Sequence, residues 1–213
     1  ALLIGFSFAM AAERYQSRRE LVVAEANALS TAYWRDSLLP APYGPELGAL
    51  LVKYGGDRLA FFAAGESAQQ LADAKSVDDA DQLAIWRDTA GGLRQPQTGP
   101  LATAILNATN ELFDLAATRQ AALKARTPAA VFWLLALSAI ATSGLFGYGV
   151  DAAGSRHRVA AVAVVAMVAG AILLVQDLDL SRGGFILTPQ GPMANAVAEL
   201  RAHEADRAAF TVP

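Results

Sequence analysis

The sequence predicts an all-α integral membrane protein, and three observations support this fold class. The 213-residue chain is 54% hydrophobic and only 17% charged, whereas soluble domains are about a quarter charged. Two long stretches, 129–150 and 159–176, contain no charged residue. No alternating strand pattern or β-hairpin signal of useful length occurs. We therefore expect a helical membrane bundle with a helical cytoplasmic insertion.

The composition also excludes several function classes. A net charge of -3 provides no basic field for nucleic acid. Without cysteine there is no disulfide, thiolate metal site or Cys nucleophile. The two histidines, His157 and His203, have no partners at metal-ligand spacing and are expected at the surface. Neither a nucleophile elbow nor a phosphate-binding loop is present. We therefore predict no enzymatic activity, no cofactor and no metal.

Residues 1–12 are apolar but too short to cross a bilayer. Twelve helical residues rise about 18 Å, against roughly 30 Å of hydrocarbon. No basic segment precedes them, as one would in a signal peptide. We interpret 1–12 as the end of a truncated transmembrane helix. A processed or interfacial N-terminus is the alternative.

Residues 13–127 are predicted to form a helical segment. Because 13–38 lack Gly and Pro, the first helix should continue through them until a Pro- and Gly-rich stretch from Pro40 to Pro45 ends it. Gly55-Gly56 marks an expected weak point in the next helix. The further helices are expected at 46–63, 78–90 and 101–126.

A transmembrane hairpin is predicted next, with helices at 128–150 and 159–176 and a loop at 151–158. The uncharged runs of 22 and 18 residues are near the length that a membrane span needs. Thr127-Pro128 is typical of an N-cap followed by a first-turn proline. A pair of buried core helices is the alternative. Small residues that would allow close helix packing in the membrane are Ser143, Gly144, Gly147 and Gly149.

Orientation follows from the positive charges near the membrane ends. Six basic residues flank the membrane helices on the side of 13–127, whereas the hairpin loop has two. This asymmetry places 13–127 and the tail 177–213 in the cytoplasm, and 151–158 outside. The six basic residues are Arg14, Arg18, Arg19, Arg119, Lys124 and Arg126, and the two are Arg156 and Arg158.

A polar stripe is predicted along the first long helix. Glu20, Asn27 and Thr31 recur at helical offsets together with Ala24 and Trp34. Such a stripe could line a water-filled passage in an oligomer. An ordinary solvated face, or polar contacts to a neighbouring helix, is the alternative.

A second polar group follows the last membrane helix. Asp177 and Asp179 are too few for a calcium site without other oxygen ligands. Together with Arg182 they could brace the tail against the cytoplasmic helices. An ordinary polar helix end at the membrane interface is the alternative.

Two stretches resemble the bestrophin-like family of bacterial membrane proteins: ERYQSRRELVVA with EANALSTAYWRDSLLP, residues 13–40, and DLDLSRGGFILTPQGPM, residues 177–193. The resemblance implies two membrane helices, a helical cytoplasmic insertion and a second membrane pair. The proline that usually follows the arginine of the tail motif is Gly183 here, so the local turn should differ.

The family's kinship with bestrophins implies a homo-oligomeric anion channel, pentameric by analogy, in the bacterial inner membrane. Since no long acidic cluster follows the last helix, calcium gating is not expected. The competing hypothesis is a non-conducting membrane scaffold or sensor that binds a protein partner through its cytoplasmic helices.

Overall fold

In the computed structural model, residues 2–64, 67–150 and 155–210 are described, and this part of the chain contains helices and no strands. The predicted all-α class is therefore confirmed. A short 3-10 helix, Pro96–Thr98, precedes the fourth α-helix. The α-helices are α1 Leu2–Asp36, α2 Tyr43–Ala63, α3 Ala68–Leu93, α4 Gly99–Lys124, α5 Ala129–Val150, α6 Ser155–Asp179 and α7 Gly191–Phe210.

The chain divides into two compact units. The first comprises Ala1–Ser17 and Leu123–Leu187, and the second comprises Arg18–Ala122 and Thr188–Pro213. α1 contributes its beginning to the first unit and the remainder to the second.

The first unit contains α5 and α6, which pack against each other. Windows long and apolar enough to cross a membrane occur within Gly99–Leu145, which contains most of α5, and within Ala161–Asp179 of α6. Large apolar side chains in these helices point outward: Trp133 is 70% exposed and Met167 is 75% exposed. Soluble proteins rarely expose large contiguous apolar patches. Within the described residues these windows are therefore not buried in a core, and the transmembrane hairpin stays a prediction.

The ends of α5 and α6 differ from those expected from hydropathy. α5 begins at Ala129, and Thr127 uses its hydroxyl to donate to Asp179. α6 begins at Ser155, inside the predicted loop 151–158, and residues 151–154 lie outside the described residues. The uncharged run marks only the apolar part of α6, and the helix extends beyond it at both ends, over 155–158 and 177–179.

The second unit has the larger hydrophobic core. It is formed by α1, α2, α4 and α7, with Ile85 contributed by α3. α1 runs uninterrupted to Asp36, as the absence of Gly and Pro in residues 13–38 predicts. The largest buried apolar side chains of this core include Leu29, Tyr33, Leu47, Leu51, Tyr54, Ile105, Leu112, Met193 and Leu200.

The tail contributes a helix that the sequence analysis did not predict. α7 buries Met193, Val197 and Leu200 in the core. Apolar residues at offsets of three and four are typical of a helix packed on one face. α7 is thus a structural part of the second unit.

Two helices of the second unit begin earlier than expected. α2 starts at Tyr43 and continues through Gly55-Gly56 without a break. A Cβ atom at Gly55 would lie 2.6 Å from Val197 Cγ2, so this glycine allows α7 to approach closely. α3 starts ten residues before the predicted 78, because Ser67 caps it by accepting a hydrogen bond from Gln70 N at 3.2 Å.

Candidate functional site

The predicted polar stripe lies on the outer face of α1. Glu20 and Asn27 are exposed, and Thr31 is half-buried. Val22 and Leu29 lie on the buried face of the same helix. The structure therefore brings the three stripe residues to one face, which the core of the second unit does not cover.

On the buried side of α1, Glu25 is the centre of an ionic network. Its Oε1 accepts a hydrogen bond from Arg58 Nε of α2 at 2.5 Å, and its Oε2 accepts one from Arg119 Nη1 of α4 at 2.5 Å. Arg58 Nη1 also pairs with Asp78 of α3 at 3.3 Å. All four side chains are at most 3% exposed. Two carboxylates and two guanidiniums thus neutralise each other and join four helices.

Neutral and aromatic groups complete this network. Gln120 Nε2 donates to Asp78 Oδ2 at 2.8 Å, and Arg119 Nη2 donates to Gln190 Oε1 just before α7. The centroid of the Phe62 ring lies 3.4 Å from Arg119 Cζ, which is a cation-π contact. Nearly every strong donor and acceptor is therefore engaged, as buried charges require.

Burial shapes the protonation of this network. It raises the pKa of Asp78, although Arg58 opposes the shift. It lowers the pKa of Arg119, which Glu25 opposes. Both carboxylate oxygens of Glu25 are already bound by guanidinium groups. This arrangement fits a structural role rather than acid-base catalysis.

The sequence analysis did not select the Glu25 network. A signal for it does exist, since Glu25 lies three or four positions from the apolar Val22 and Leu29 and so falls on the core face of α1. A charged residue on a core face needs a buried partner. The partners of Glu25 are Arg58 and Arg119, which lie 33 and 94 positions away in the sequence. Only tertiary packing brings them to Glu25, so local sequence does not identify them.

The tail motif is well bonded within the first unit. Asp179 Oδ1 accepts hydrogen bonds from Arg14 Nη1 and Thr127 Oγ1, both at 2.8 Å, and its Oδ2 accepts one from Thr127 N at 2.8 Å. Asp177 accepts from the backbone N–H groups of Phe185 and Ile186 at 2.6 and 2.9 Å. Asp179 thus joins the end of α6 to α1 and to the segment before α5.

Arg182 is half-buried beside this motif. Asp177 directs its carboxylate to the following turn, while Asp179 binds Arg14. Within the described ranges, no group of three or more His, Asp or Glu side chains could hold a metal ion. The bonding of the two aspartates favours a bracing role over calcium binding.

The small residues of α5 have mixed surroundings. Ser143 is half-buried, and its hydroxyl donates to Ala139 O at 2.7 Å. A Cβ atom added to Gly144 would meet nothing within 4 Å. The surroundings of Gly147 and Gly149 lie outside the described residues. A cavity of about 450 Å³ between the start of α1, α5 and α6 includes Ser143 in its wall.

His203 was expected at the surface but packs against α1. Its Nδ1 lies 2.7 Å from the Tyr33 hydroxyl, which donates to Glu204 at 2.5 Å, and its ring contacts Trp34. Arg207 pairs with Glu204 at 2.7 Å. Burial raises the pKa of Tyr33. This cluster links α7 to α1, while the side chain of His157 lies outside the described residues.

Comparison with known proteins gives one finding. A family model for the bestrophin-like domain matches residues 1–182. The chain belongs to the bestrophin-like family. This match agrees with the resemblance of the two sequence stretches, and the bestrophin-like family is channel-like. No curated protein and no solved structure matches the chain. The matched region includes the polar stripe, the Glu25 network and the aspartates of the tail motif, but ends before α7.

Proposed function

We propose that this bestrophin-like protein is a subunit of a homo-oligomeric ion channel in the bacterial inner membrane, selective for anions by analogy with bestrophins. Residues 128–150 and 159–176 would span the bilayer. Residues 13–127 and the tail 177–213 would be cytoplasmic, and 151–158 would face outward. Ions would move passively, so the protein would not act as an enzyme.

The observation that carries this proposal is the family match over residues 1–182, which includes an uncovered polar face on α1. In an oligomer, symmetry would repeat Glu20, Asn27 and Thr31 as rings. Amide and hydroxyl groups can replace part of the water around an ion. Several copies are needed because the few apolar helices of one subunit cannot enclose a pore.

The Glu25 network supports the proposed orientation of α1. It holds the buried face of the helix through Arg58 and Arg119, both of which have long, otherwise mobile side chains. When one face of a helix is fixed in this way, the opposite face keeps a constant orientation. Glu25 would therefore act as a positioning residue for the stripe and would not contact the ion.

Glu20 gives the proposal a specific electrostatic consequence. A ring of carboxylates favours cations, whereas neutral amide and hydroxyl rings do not. In an anion-selective channel, the Glu20 ring would therefore limit anion flux. Replacing Glu20 with Gln is expected to increase the anion-to-cation permeability ratio, measured as a shift in reversal potential under a salt gradient.

Oligomeric mass in mild detergent tests the proposal directly. Native mass spectrometry of the purified chain is expected to give a single closed oligomer, a pentamer by analogy with bestrophins. A monomer at every detergent and protein concentration would contradict the channel. Cross-linking in native membranes, performed before extraction, provides the control for dissociation by detergent.

A non-conducting scaffold or sensor is the second candidate, and one observation favours it. On α3, Leu83 is 68% exposed and Trp86 is 42% exposed. Aromatic side chains are enriched at protein interfaces. A partner would bind this face of the second unit.

A photo-crosslinking amino acid at position 83 separates the two candidates. The scaffold predicts one specific partner adduct in cells, which is lost on Trp86→Ser, together with no ion flux in liposomes. Adducts only to another copy of the chain would instead favour the oligomer. Position 114, an exposed site on α4, is the matched control.

A further inference from the structure

Asp36, the last residue of α1, has an unusual environment. Its side chain is 0% exposed. Neither carboxylate oxygen has a hydrogen-bond partner within the described part of the chain. Buried carboxylates are normally paired or hydrogen-bonded, because an isolated buried charge is strongly unfavourable.

A tight turn between α1 and α2 directly follows this residue. Leu39 N donates to the backbone oxygen of Asp36 at 2.9 Å. A Cβ atom at Gly44 would lie 2.4 Å from Leu39 O and 3.4 Å from Asp36 O. The start of α2 therefore lies directly against the end of α1.

Among the described residues, no cation pairs with Asp36. Arg35 directs its guanidinium to Ala104 O of α4 at 2.9 Å. Tyr43 of α2 lies against Gly91 of α3. Burial raises the pKa of Asp36 to about 7, without a contribution from a charged group in the described residues. The carbonyl end of the α1 dipole also disfavours a negative charge at this position.

We propose that Asp36 is a proton-sensitive switch for the turn between α1 and α2. The neutral carboxyl group is compatible with the closed turn. When it loses its proton, the carboxylate must reach water, and the turn opens at residues 37–44. The switch therefore couples the pH around the second unit to the end of the helix that carries Glu20, Asn27 and Thr31.

Hydrogen exchange tests this proposal in the full chain in detergent. Protection of the amides in 37–44, corrected for the intrinsic effect of pH, is expected to fall severalfold between pH 6 and pH 8. Asp36→Asn, which stays neutral, should keep this protection constant. Asp114→Asn, at an exposed position on α4, should behave like the parent chain.

Infrared difference spectroscopy provides a second measurement that does not depend on the folding of a variant. In the folded parent chain, the band of a protonated carboxyl group should weaken over the same pH range. Equal pH dependence of exchange in the parent and Asp36→Asn would overturn the proposal. Absence of any protonated carboxyl band at pH 6 in the folded parent chain would overturn it as well.

Discussion

Arg119 of α4 donates to Glu25 of α1 at 2.5 Å across 94 positions of sequence, and both side chains are buried. The other oxygen of Glu25 binds Arg58 of α2. One carboxylate therefore binds two guanidiniums inside the second unit, and Asp78 supplies the second negative charge. Because the opposite face of α1 carries the polar stripe, this ion pair connects the packing of the unit to the proposed ion pathway.

Glu25→Gln should strongly destabilise the second unit. The change keeps the shape of the side chain but leaves two buried guanidiniums without their shared carboxylate. Breaking a buried pair in this way costs about 3–5 kcal/mol. Thermal unfolding of the detergent-solubilised protein, followed by circular dichroism, should show a much lower midpoint. Glu111→Gln, at an exposed position on α4, should have nearly the parent midpoint; equal midpoints for all three proteins would rule out the structural role of Glu25.

Asp179→Asn should weaken the first unit. Asp179 accepts three hydrogen bonds, one of them from the cationic Arg14. Hydrogen bonds to charged groups contribute about 1.5–3 kcal/mol each. Limited proteolysis should therefore cut the segment around Thr127 and Arg14 faster in the variant. Asp206→Asn, an exposed change on α7, serves as the control, and unchanged cleavage rates in Asp179→Asn would contradict the bracing role.

Calcium should not bind to the tail motif. Asp177 and Asp179 direct their oxygens to backbone N–H groups, Arg14 and Thr127. A calcium ion needs six to eight oxygen ligands and would have to break these bonds. Isothermal titration of the purified protein with Ca²⁺ should give no heat of specific binding. A saturable signal that Asp177→Asn and Asp179→Asn abolish would show that the motif is a calcium site.

Gly55→Ala and Gly56→Ala form a matched pair on α2. A methyl group at Gly55 would lie 2.6 Å from Val197 and 2.7 Å from Leu29, whereas at Gly56 the nearest atom is Arg201 Nη2 at 3.8 Å. Overpacking costs about 1–3 kcal/mol, while Gly to Ala in a helix gains up to about 1 kcal/mol. Thermal unfolding should therefore show a lower midpoint for Gly55→Ala and a higher one for Gly56→Ala. The reverse order would mean that α7 does not dock against Gly55.

Asp36→Asn should stabilise the protein in a pH-dependent way. Burial raises the pKa of Asp36 from 3.8 to about 7. Between these values the folded chain keeps a proton that the unfolded chain loses, so stability falls as the pH rises and levels off above 7. The full penalty is on the order of 4 kcal/mol. The variant should therefore gain more stability at pH 8 than at pH 5, and a gain of equal size at both pH values would contradict the assignment.

Much of the fold could be predicted from local patterns. The helices α5 and α6 follow from their uncharged runs, and the unbroken α1 follows from the absence of Gly and Pro in residues 13–38. Hydropathy and helix propensity describe such local patterns well. The start of α3 could not be placed, because the cap at Ser67 precedes a polar first turn that also fits a loop. Gly55-Gly56 suggested a break, whereas packing against Val197 explains the glycine at position 55.

The site was less predictable than the fold. The helical period of 3.6 residues places Glu20, Asn27 and Thr31 on one face of α1, while their role as a pore lining stays a prediction. The Glu25 network joins four helices, and a single sequence does not reveal which distant arginine compensates a buried acid. The contact between His203 and Tyr33 could not be predicted either, because it depends on the docking of α7 against α1.

Passive ion flux tests the central claim most directly. Purified protein in liposomes, at several copies per vesicle, should dissipate a chloride gradient, and Glu20→Gln should change the selectivity of that flux. Empty liposomes and vesicles that contain the Glu25→Gln protein are the controls. Gradients that persist at high protein density, with the protein correctly inserted and oligomeric, would contradict the channel.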